Sequence, residues 1–306
     1  MTGFALFLLR RLLGIVVLVW VTTLVALGLF RVGVPSQIAD VQIDAQLGPG
    51  EPATWQYFHY LLRLLHGDLG QSLTVGLSVD TVLARAVPPT LSLMIGGVVL
   101  WLIIGILAGL ASGLRAGSWI DRLLIGATLT TVVIPTFVLA LLLLSVFSYT
   151  GCLWLQPGYV PFTQNPGAWL GRMILPWIAI AATQVGVTAK LTRNCVLETL
   201  GEDYIRTAHA KGLPKRRVFW LHILRPSIVA LLPSVSVGLG TLLSGAAIVD
   251  QTFALGGVGQ ALLTAVKYND LMVIMGTVLA TVILISVVNL IADVAQALLD
   301  PRINLT

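Results

Sequence analysis

Long stretches of this chain carry no charge. Leu12–Phe30 is uncharged over 19 residues, Ala86–Leu114 over 29, Leu123–Gly171 over 49, Met173–Ala189 over 17, Pro226–Val249 over 24 and Leu271–Ala292 over 22. A helix needs about 20 apolar residues to cross the hydrocarbon of a bilayer. The 49-residue run is long enough for two spans. Its second half, GCLWLQPGYVPFTQNPGAW, holds Pro157, Pro161, Pro166 and three glycines. Backbone groups left unpaired in lipid cost several kcal/mol each, so that half is expected outside the hydrocarbon. The pattern predicts an all-α polytopic protein of one domain, residues 1–306. Its six spans fall near 12–30, 88–113, 123–148, 173–191, 227–249 and 271–293, with an outer loop at 31–87 and an inner loop at 194–225.

Composition agrees with that reading. Of 306 residues, 57% are hydrophobic and only 10% charged, against about 25% charged in a soluble domain. The first run, preceded by Arg10 and Arg11, has the flavour of a signal peptide. It is long, however, and no clear small-x-small cleavage site precedes Arg31 and Pro35, so a retained helix is expected. Two cysteines, Cys152 and Cys195, supply neither a disulfide framework nor a thiolate metal cluster.

Six spans place both termini on one side. The termini and the segments around Arg115–Arg122 and Lys190–Arg225 hold 13 of the 18 Lys and Arg residues. Positive loops stay cytoplasmic, which predicts cytoplasmic termini. The outer loops keep Arg31, Arg63, Arg85, Arg172 and Lys267, and the first of them also carries Asp40, Asp44, Glu51, Asp68 and Asp80. Trp154, Trp169 and Trp177 flank the second, as interfacial aromatics do. Cys152 then lies outside and Cys195 inside, so the two are expected as separate free thiols.

Within the first outer loop, Trp55, Phe58, Leu61, Leu62 and Leu65 recur at helical spacing and make one apolar face. That face suits packing on a small core of the loop, lying on the membrane surface, or docking an outside partner. His59 and His66 lack a third ligand to make a metal site, and none is expected.

The inner loop is where the charge is concentrated. Arg206–Pro226, RTAHAKGLPKRRVFWLHILRP, carries six cationic residues and two histidines. Glu202 and Asp203 open a helical stretch, where carboxylates suit the helix dipole. Gly212 is placed to end it, and Pro214 to start another helix as a first-turn residue. An ordinary basic loop touching anionic headgroups would need only the charge. The helix–turn–helix layout adds a compact elbow whose short helix fits a groove on another protein. Nucleic acid is a poor partner for a segment tethered to the membrane without an accompanying domain.

Chemistry is sparse inside the spans. Thr128, Thr130 and Thr131 cluster before Pro135; Ser234, Ser236, Thr241 and Ser244 lie in the fifth span among Gly238, Gly240 and Gly245; Asn289 lies in the sixth. Small and hydroxylated residues serve helix packing, or they line a polar path. Thr128, Thr131, Ser234, Thr241, Ser244 and Asn289 are the candidates for such a path, and periodicity alone does not separate the two roles. No G-x-x-x-x-G-K-[ST] occurs, so no P-loop binds ATP in this chain. The LGGVGQ segment at Leu255–Gln260 has no following lysine and suits an irregular outer turn better than a phosphate cradle. The spans lack the mid-membrane charges that ion-coupled carriers use, and no inverted repeat is visible.

Four stretches, in order, resemble the binding-protein-dependent permeases of ABC importers, specifically the dipeptide and oligopeptide (DppB/OppB-like) branch. They are HGDLGQS at His66–Ser72, DYIRTAHAKGLPKRRVFWLHILRPS from Asp203, GAAIVDQTFALGGVGQ at Gly245–Gln260 and LDPRI at Leu299–Ile303. The inner loop is similar to that family's EAA loop, with Arg206 where a glutamate often stands, and Asp250 replaces the glutamate before the glycines. The opening of the first outer loop, RVGVPSQIAD, departs from the family and looks shortened.

The resemblance implies the type I importer permease fold in a bacterial cytoplasmic (inner) membrane. It implies a non-enzymatic, pore-forming role in ATP-driven import of di- or oligopeptides. The partners would be a second homologous permease, two ABC ATPase subunits that bind the ATP and Mg, an extracytoplasmic substrate-binding protein and membrane lipid. Tyr204, Arg206, Ala208, Ala210, Lys211, Gly212 and Leu213 would couple to the ATPase, and Asp250, Gly256, Gly257 and Gly259 would form an outer gate. Nickel chelates, glutathione and haem are cargoes of the same family. An ATP-independent secondary transporter of a small polar solute and a non-transporting membrane anchor are the readings from other classes.

Overall fold

A computed structural model describes residues 2–148 and 155–299. Cys152, Trp154 and most of the LDPRI ending lie outside the described residues. The chain order is α1 (Thr2–Gly33), α2 (Ser36–Leu47), α3 (Ala53–Leu65), α4 (Val79–Leu114), α5 (Trp119–Val133), α6 (Thr136–Leu143), α7 (Pro166–Gly201), α8 (Asp203–Ala210), α9 (Lys215–Val218), α10 (Arg225–Thr252), α11 (Val258–Lys267) and α12 (Leu271–Leu299). One π-helical turn, Leu144–Ser148, extends α6, and another, Phe219–Leu224, joins α9 to α10. Among the described residues five helical stretches are long and apolar enough to cross a membrane, and the bent α5–α6 pair makes six if it is one broken span.

That break corrects the expectation of one continuous third span at 123–148. The chain turns by 103° between Trp119–Val133 and Thr136–Phe147. Pro135 has no N–H to donate, and its ring pushes the preceding residue out of the helical region. Ile134 accordingly sits at ψ 119°, and Pro135 itself at ψ 139°. Two extended residues in succession make a corner instead of a kink.

The described residues divide into two compact units. The first comprises residues 1–92 and 254–287. Its core gathers Leu27 and Phe30 of α1, Ile43 and Leu47 of α2, Tyr57 and Tyr60 of α3, Val79 of α4 and Leu271, Met272 and Met275 of α12. Polar groups lock the loops onto this core. Gln42 accepts from the Leu271 N–H at 2.9 Å. The buried Asp270 carboxylate accepts from the Ser72 and Thr74 hydroxyls. Gly276 lets α12 close on α4, since a Cβ there would stand 2.3 Å from Val79 Cγ1.

The predicted apolar face of α3 is not the one this core uses. Gln56, Tyr57 and Tyr60 are buried and Leu61 packs half-buried against the core, while Trp55, Phe58, Leu62 and Leu65 are exposed. The reason is polar. Gln56 donates to Asp44 Oδ1 and to the Gly48 carbonyl, both at 3.0 Å, and Tyr57 donates to the Trp20 carbonyl at 2.8 Å. Those bonds turn the polar–aromatic edge of the helix inward. His59 and His66 are engaged locally, by Glu51 Oε2 at 3.1 Å and the Leu62 carbonyl at 2.7 Å.

In the second unit, the described residues of 93–253 and 288–299, glycines set how closely helices pack. A Cβ at Gly105, Gly109 or Gly113 of α4 would come within 3 Å of Thr188, Thr192 or Val196 of α7. This small-xxx-small seam lets the small side chains of α7 sit directly on the α4 backbone. Trp101 caps it, donating from Nε1 to Thr188 Oγ1 at 2.6 Å. α5 packs on α7 the same way, because a Cβ at Gly186 would stand 2.2 Å from the Thr128 carbonyl oxygen. At the end of these helices Asp121 is buried, accepting from Ser112 of α4, from the Gly117 N–H and from Arg193 of α7.

Candidate functional site

The inner loop folds as a hairpin of short helices. Residues Asp203–Ala210 form α8, and Lys211 ends it. Gly212 follows at φ +74°, a conformation that costs an L side chain strain but not glycine. Its N–H donates to the His209 carbonyl at 3.0 Å, and the Leu213 N–H donates to the Ala208 carbonyl at 3.2 Å. This pair of bonds is a Schellman closure, which satisfies carbonyls a helix end otherwise leaves orphaned. Pro214 stands just before α9, with ψ 140°, one position earlier than the first-turn place its chemistry predicts.

Packing gives this hairpin two faces. Ile205 and Ala208, three residues apart on α8, are buried with Val218, Ile223, Leu110 of α4 and Val196 of α7. Leu213 packs half-buried against the same cluster. The inner face is thereby fastened to the ends of two long helices. On the other face, Tyr204, Arg206, Ala210, Lys211 and Gly212 are exposed, as are Trp220 and Leu221. The Tyr204 ring lies 6.2 Å from that of His222. Ala208, which the resemblance implies would couple to the ATPase, is buried within the chain.

The polar candidates in the spans separate into two groups. Thr128 donates back to the Leu124 carbonyl at 2.8 Å, and Thr131 reaches across to the Ala182 carbonyl of α7 at 2.7 Å. Both bind α5 to α7. Ser234 and Thr241 instead line a groove of about 460 Å³ between α7 and α10, together with Gln184, Val187, Leu191 and Val237. Gln184 donates to Thr241 Oγ1, which donates to the Gly238 carbonyl at 2.9 Å. Ser244 lies exposed one turn further along α10, bonded to the Gly240 carbonyl. Asn289 is half-buried on α12 and is not among the residues of this groove. Sequence reading missed Gln184; the signal was an uncharged amide inside an apolar run, but nothing local told which way it points.

Asp250 is buried near the end of α10. The glycine segment that follows is ordered by its own bonds. Gly256, at φ +76°, donates to Gln260 Oε1 at 2.8 Å. Gly257 caps α11, whose Val258 N–H donates to Thr90 Oγ1 at 2.8 Å, and Gly259 lies inside the helix. The N–H groups a phosphate cradle would need at Gly256 and Val258 are thus already bonded within the chain.

Comparison with known proteins places this geometry. Residues 81–305 match the family described as binding-protein-dependent transport system inner membrane component. A Brucella suis biovar 1 protein is 34% identical over 263 residues, covering 86% of this chain and 84% of its own. The oligopeptide transport system permease protein OppB of Salmonella typhimurium is 32% identical over 263 residues, and the dipeptide transport system permease protein DppB of Escherichia coli K12 is 32% identical over 286, each with the same coverage. A chain of the MetNI methionine ABC transporter, solved in inward-facing conformations, aligns with a TM-score of 0.56 and 18% identity over 72% of this chain and 97% of that one; it shows the fold. The helical architecture, the family match over most of the chain and relatives above 30% identity lead to one conclusion: this protein belongs to the binding-protein-dependent transport system inner membrane components, the permease subunits of ABC importers.

Proposed function

We propose that this permease carries di- or oligopeptides across a bacterial cytoplasmic membrane, with its termini and the α8–α9 hairpin in the cytoplasm. The observation that carries the coupling role is the two-faced hairpin, fastened inward through Ala208 and Ile205 and open outward through Tyr204, Arg206, Ala210, Lys211 and Gly212. A knob fixed to the ends of α4 and α7 transmits displacement instead of absorbing it. An ATPase subunit closing on ATP moves the knob, and the helices rotate as a rigid body between inward-open and outward-open arrangements. ATP and Mg belong to two ATPase partners, since no P-loop motif occurs in this chain. A second permease completes the path, and an outside binding protein delivers cargo.

Peptide as cargo is supported by the relatives named for oligopeptide and dipeptide transport. On this chain's share of the path, the Gln184–Thr241–Ser234 strip offers hydrogen-bonding groups between α7 and α10. They suit a peptide backbone without selecting its side chains. Purification of the chain from its own membrane in mild detergent tests the reading. Two P-loop ATPases and a second permease should co-purify, with hydrolysis stimulated by peptide-loaded binding protein. A chain that emerges alone, without ATPase activity, overturns it.

A further inference from the structure

The Tyr57 hydroxyl of α3 donates to the Trp20 carbonyl of α1 at 2.8 Å and lies 2.9 Å from Thr23 Oγ1. Trp20 precedes Arg31, the charge that ends the first apolar run, by eleven residues. At 1.5 Å per residue that is about 16 Å along the helix, roughly half the thickness of the hydrocarbon layer. So α3, though part of the outer loop by sequence, lies against the apolar length of α1. Between the two helices opens a groove of about 430 Å³ whose lining includes Trp20, Leu24, Gly28, Arg31, Phe58 and Leu61. At its charged end Arg31 Nη2 donates to Gln56 Oε1 at 2.5 Å.

We propose that this groove holds an acyl chain of a phospholipid, with the lipid phosphate at Arg31, and that α3 is seated in the leaflet instead of in the aqueous space. The inference rests on the six-span topology proposed above. The occupant follows from continuity. The groove is part of the surface of α1, whose Leu12, Leu13, Val16, Val17, Val25 and Leu29 side chains are exposed along the apolar run. Side chains exposed on a helix within hydrocarbon are met by acyl chains wherever the second permease does not cover them. The exposed stripe of α3, Trp55, Phe58, Leu62 and Leu65, extends the same apolar surface. An amphipathic helix seats its apolar face about 5–10 Å into the boundary between headgroups and chains. Arginine at the end of a span reaches from apolar surroundings to the headgroups.

Replacing Phe58 by the photoreactive p-benzoylphenylalanine, in the full transporter within its native membrane, tests the proposal. Irradiation should yield a phospholipid adduct identified by mass spectrometry. Gly28→Leu should lower its yield several-fold, because a side chain at Gly28 enters the groove without meeting any atom within 4 Å. Gly14→Leu, on α1 and equally free of neighbours but outside the groove, should leave the yield unchanged. An adduct to a protein chain, no adduct, a yield indifferent to Gly28→Leu, or an equal fall in both variants overturns the proposal. Topology is read separately, by labelling Gln37→Cys with a membrane-impermeant thiol reagent in a chain whose Cys152 and Cys195 are replaced by serine. Labelling from the outer side only keeps the six-span reading standing whatever the groove holds.

Discussion

Arg193 grips both oxygens of Asp121, Nε to Oδ1 and Nη2 to Oδ2, each at 2.8 Å. The pair ties the start of α5 to α7, and Ser112 of α4 donates to the same carboxylate. Three helices therefore meet on one buried anion. Removing one partner of a buried pair strands the other charge, at a cost of about 3–5 kcal/mol. Arg193 is about a quarter exposed, so the low end applies. Asp121→Ala should destabilise by about 3 kcal/mol. The double variant with Arg193→Met should recover part of that loss, read as thermal unfolding of the detergent-purified chain.

Gly186 and Gly126 should behave oppositely. A methyl at Gly186 runs into the Thr128 carbonyl, which belongs to the backbone of α5 and has no rotamer to escape through. Gly186→Ala should cost about 3 kcal/mol, the upper part of the overpacking range. A methyl at Gly126 on α5 meets nothing within 4 Å, and Gly126→Ala should stabilise by about 0.5–1 kcal/mol through the helix preference of alanine. Melting temperatures of the two variants should move in opposite directions.

At the hairpin, Gly212 and Ala208 fail for different reasons. Nothing lies within 4 Å of a Cβ at Gly212, so only its positive φ resists substitution. That strain is about 1–2 kcal/mol for most side chains and smaller for asparagine. Gly212→Asn should keep most uptake, Gly212→Val should lose it, and Ala208→Leu should lose it by forcing α8 off the Leu110–Val196 cluster. All three should still insert in the membrane. Uptake and substrate-stimulated ATPase activity separate these outcomes.

Asp270 holds the turn that follows α3. Its carboxylate accepts from Ser72, which is buried, and from the hydroxyl and N–H of Thr74. Asp270→Ala leaves the Ser72 hydroxyl without its partner, worth about 1–3 kcal/mol. Limited proteolysis should then nick the 66–78 segment faster. Asp270→Asn keeps an acceptor oxygen and should be cut close to the wild-type rate.

Much of this protein was legible from local rules. Hydrocarbon tolerates neither bare charge nor unpaired backbone, so uncharged runs mark the spans by length alone. The hairpin was legible too, because a helix stop is a matter between residues 208 and 213: glycine takes the left-handed turn, and the bonds it closes span five residues. The four motifs carried the family.

Facing was decided elsewhere. Spacing on α3 marked Trp55, Phe58, Leu61, Leu62 and Leu65 as one apolar face without saying what it meets; the bonds of Gln56 to Asp44 and of Tyr57 to Trp20, made between residues distant in sequence, leave all of it but Leu61 outside the core. The same holds for Thr131, bonded to Ala182, and Thr241, bonded to Gln184. Both are threonines in apolar runs, and only the neighbouring helix makes one a fastener and the other a groove wall. Pro135 lies inside a run that reads as one span by composition, and the 103° corner there comes from two successive extended residues, Ile134 and Pro135. By itself the sequence determined where the apolar helices run and where α8 stops, since hydrophobicity and turn chemistry act over a few residues. Which side of each helix meets protein, lipid or cargo was decided by tertiary structure, because a contact energy belongs to two surfaces and the chain writes only one of them at a time.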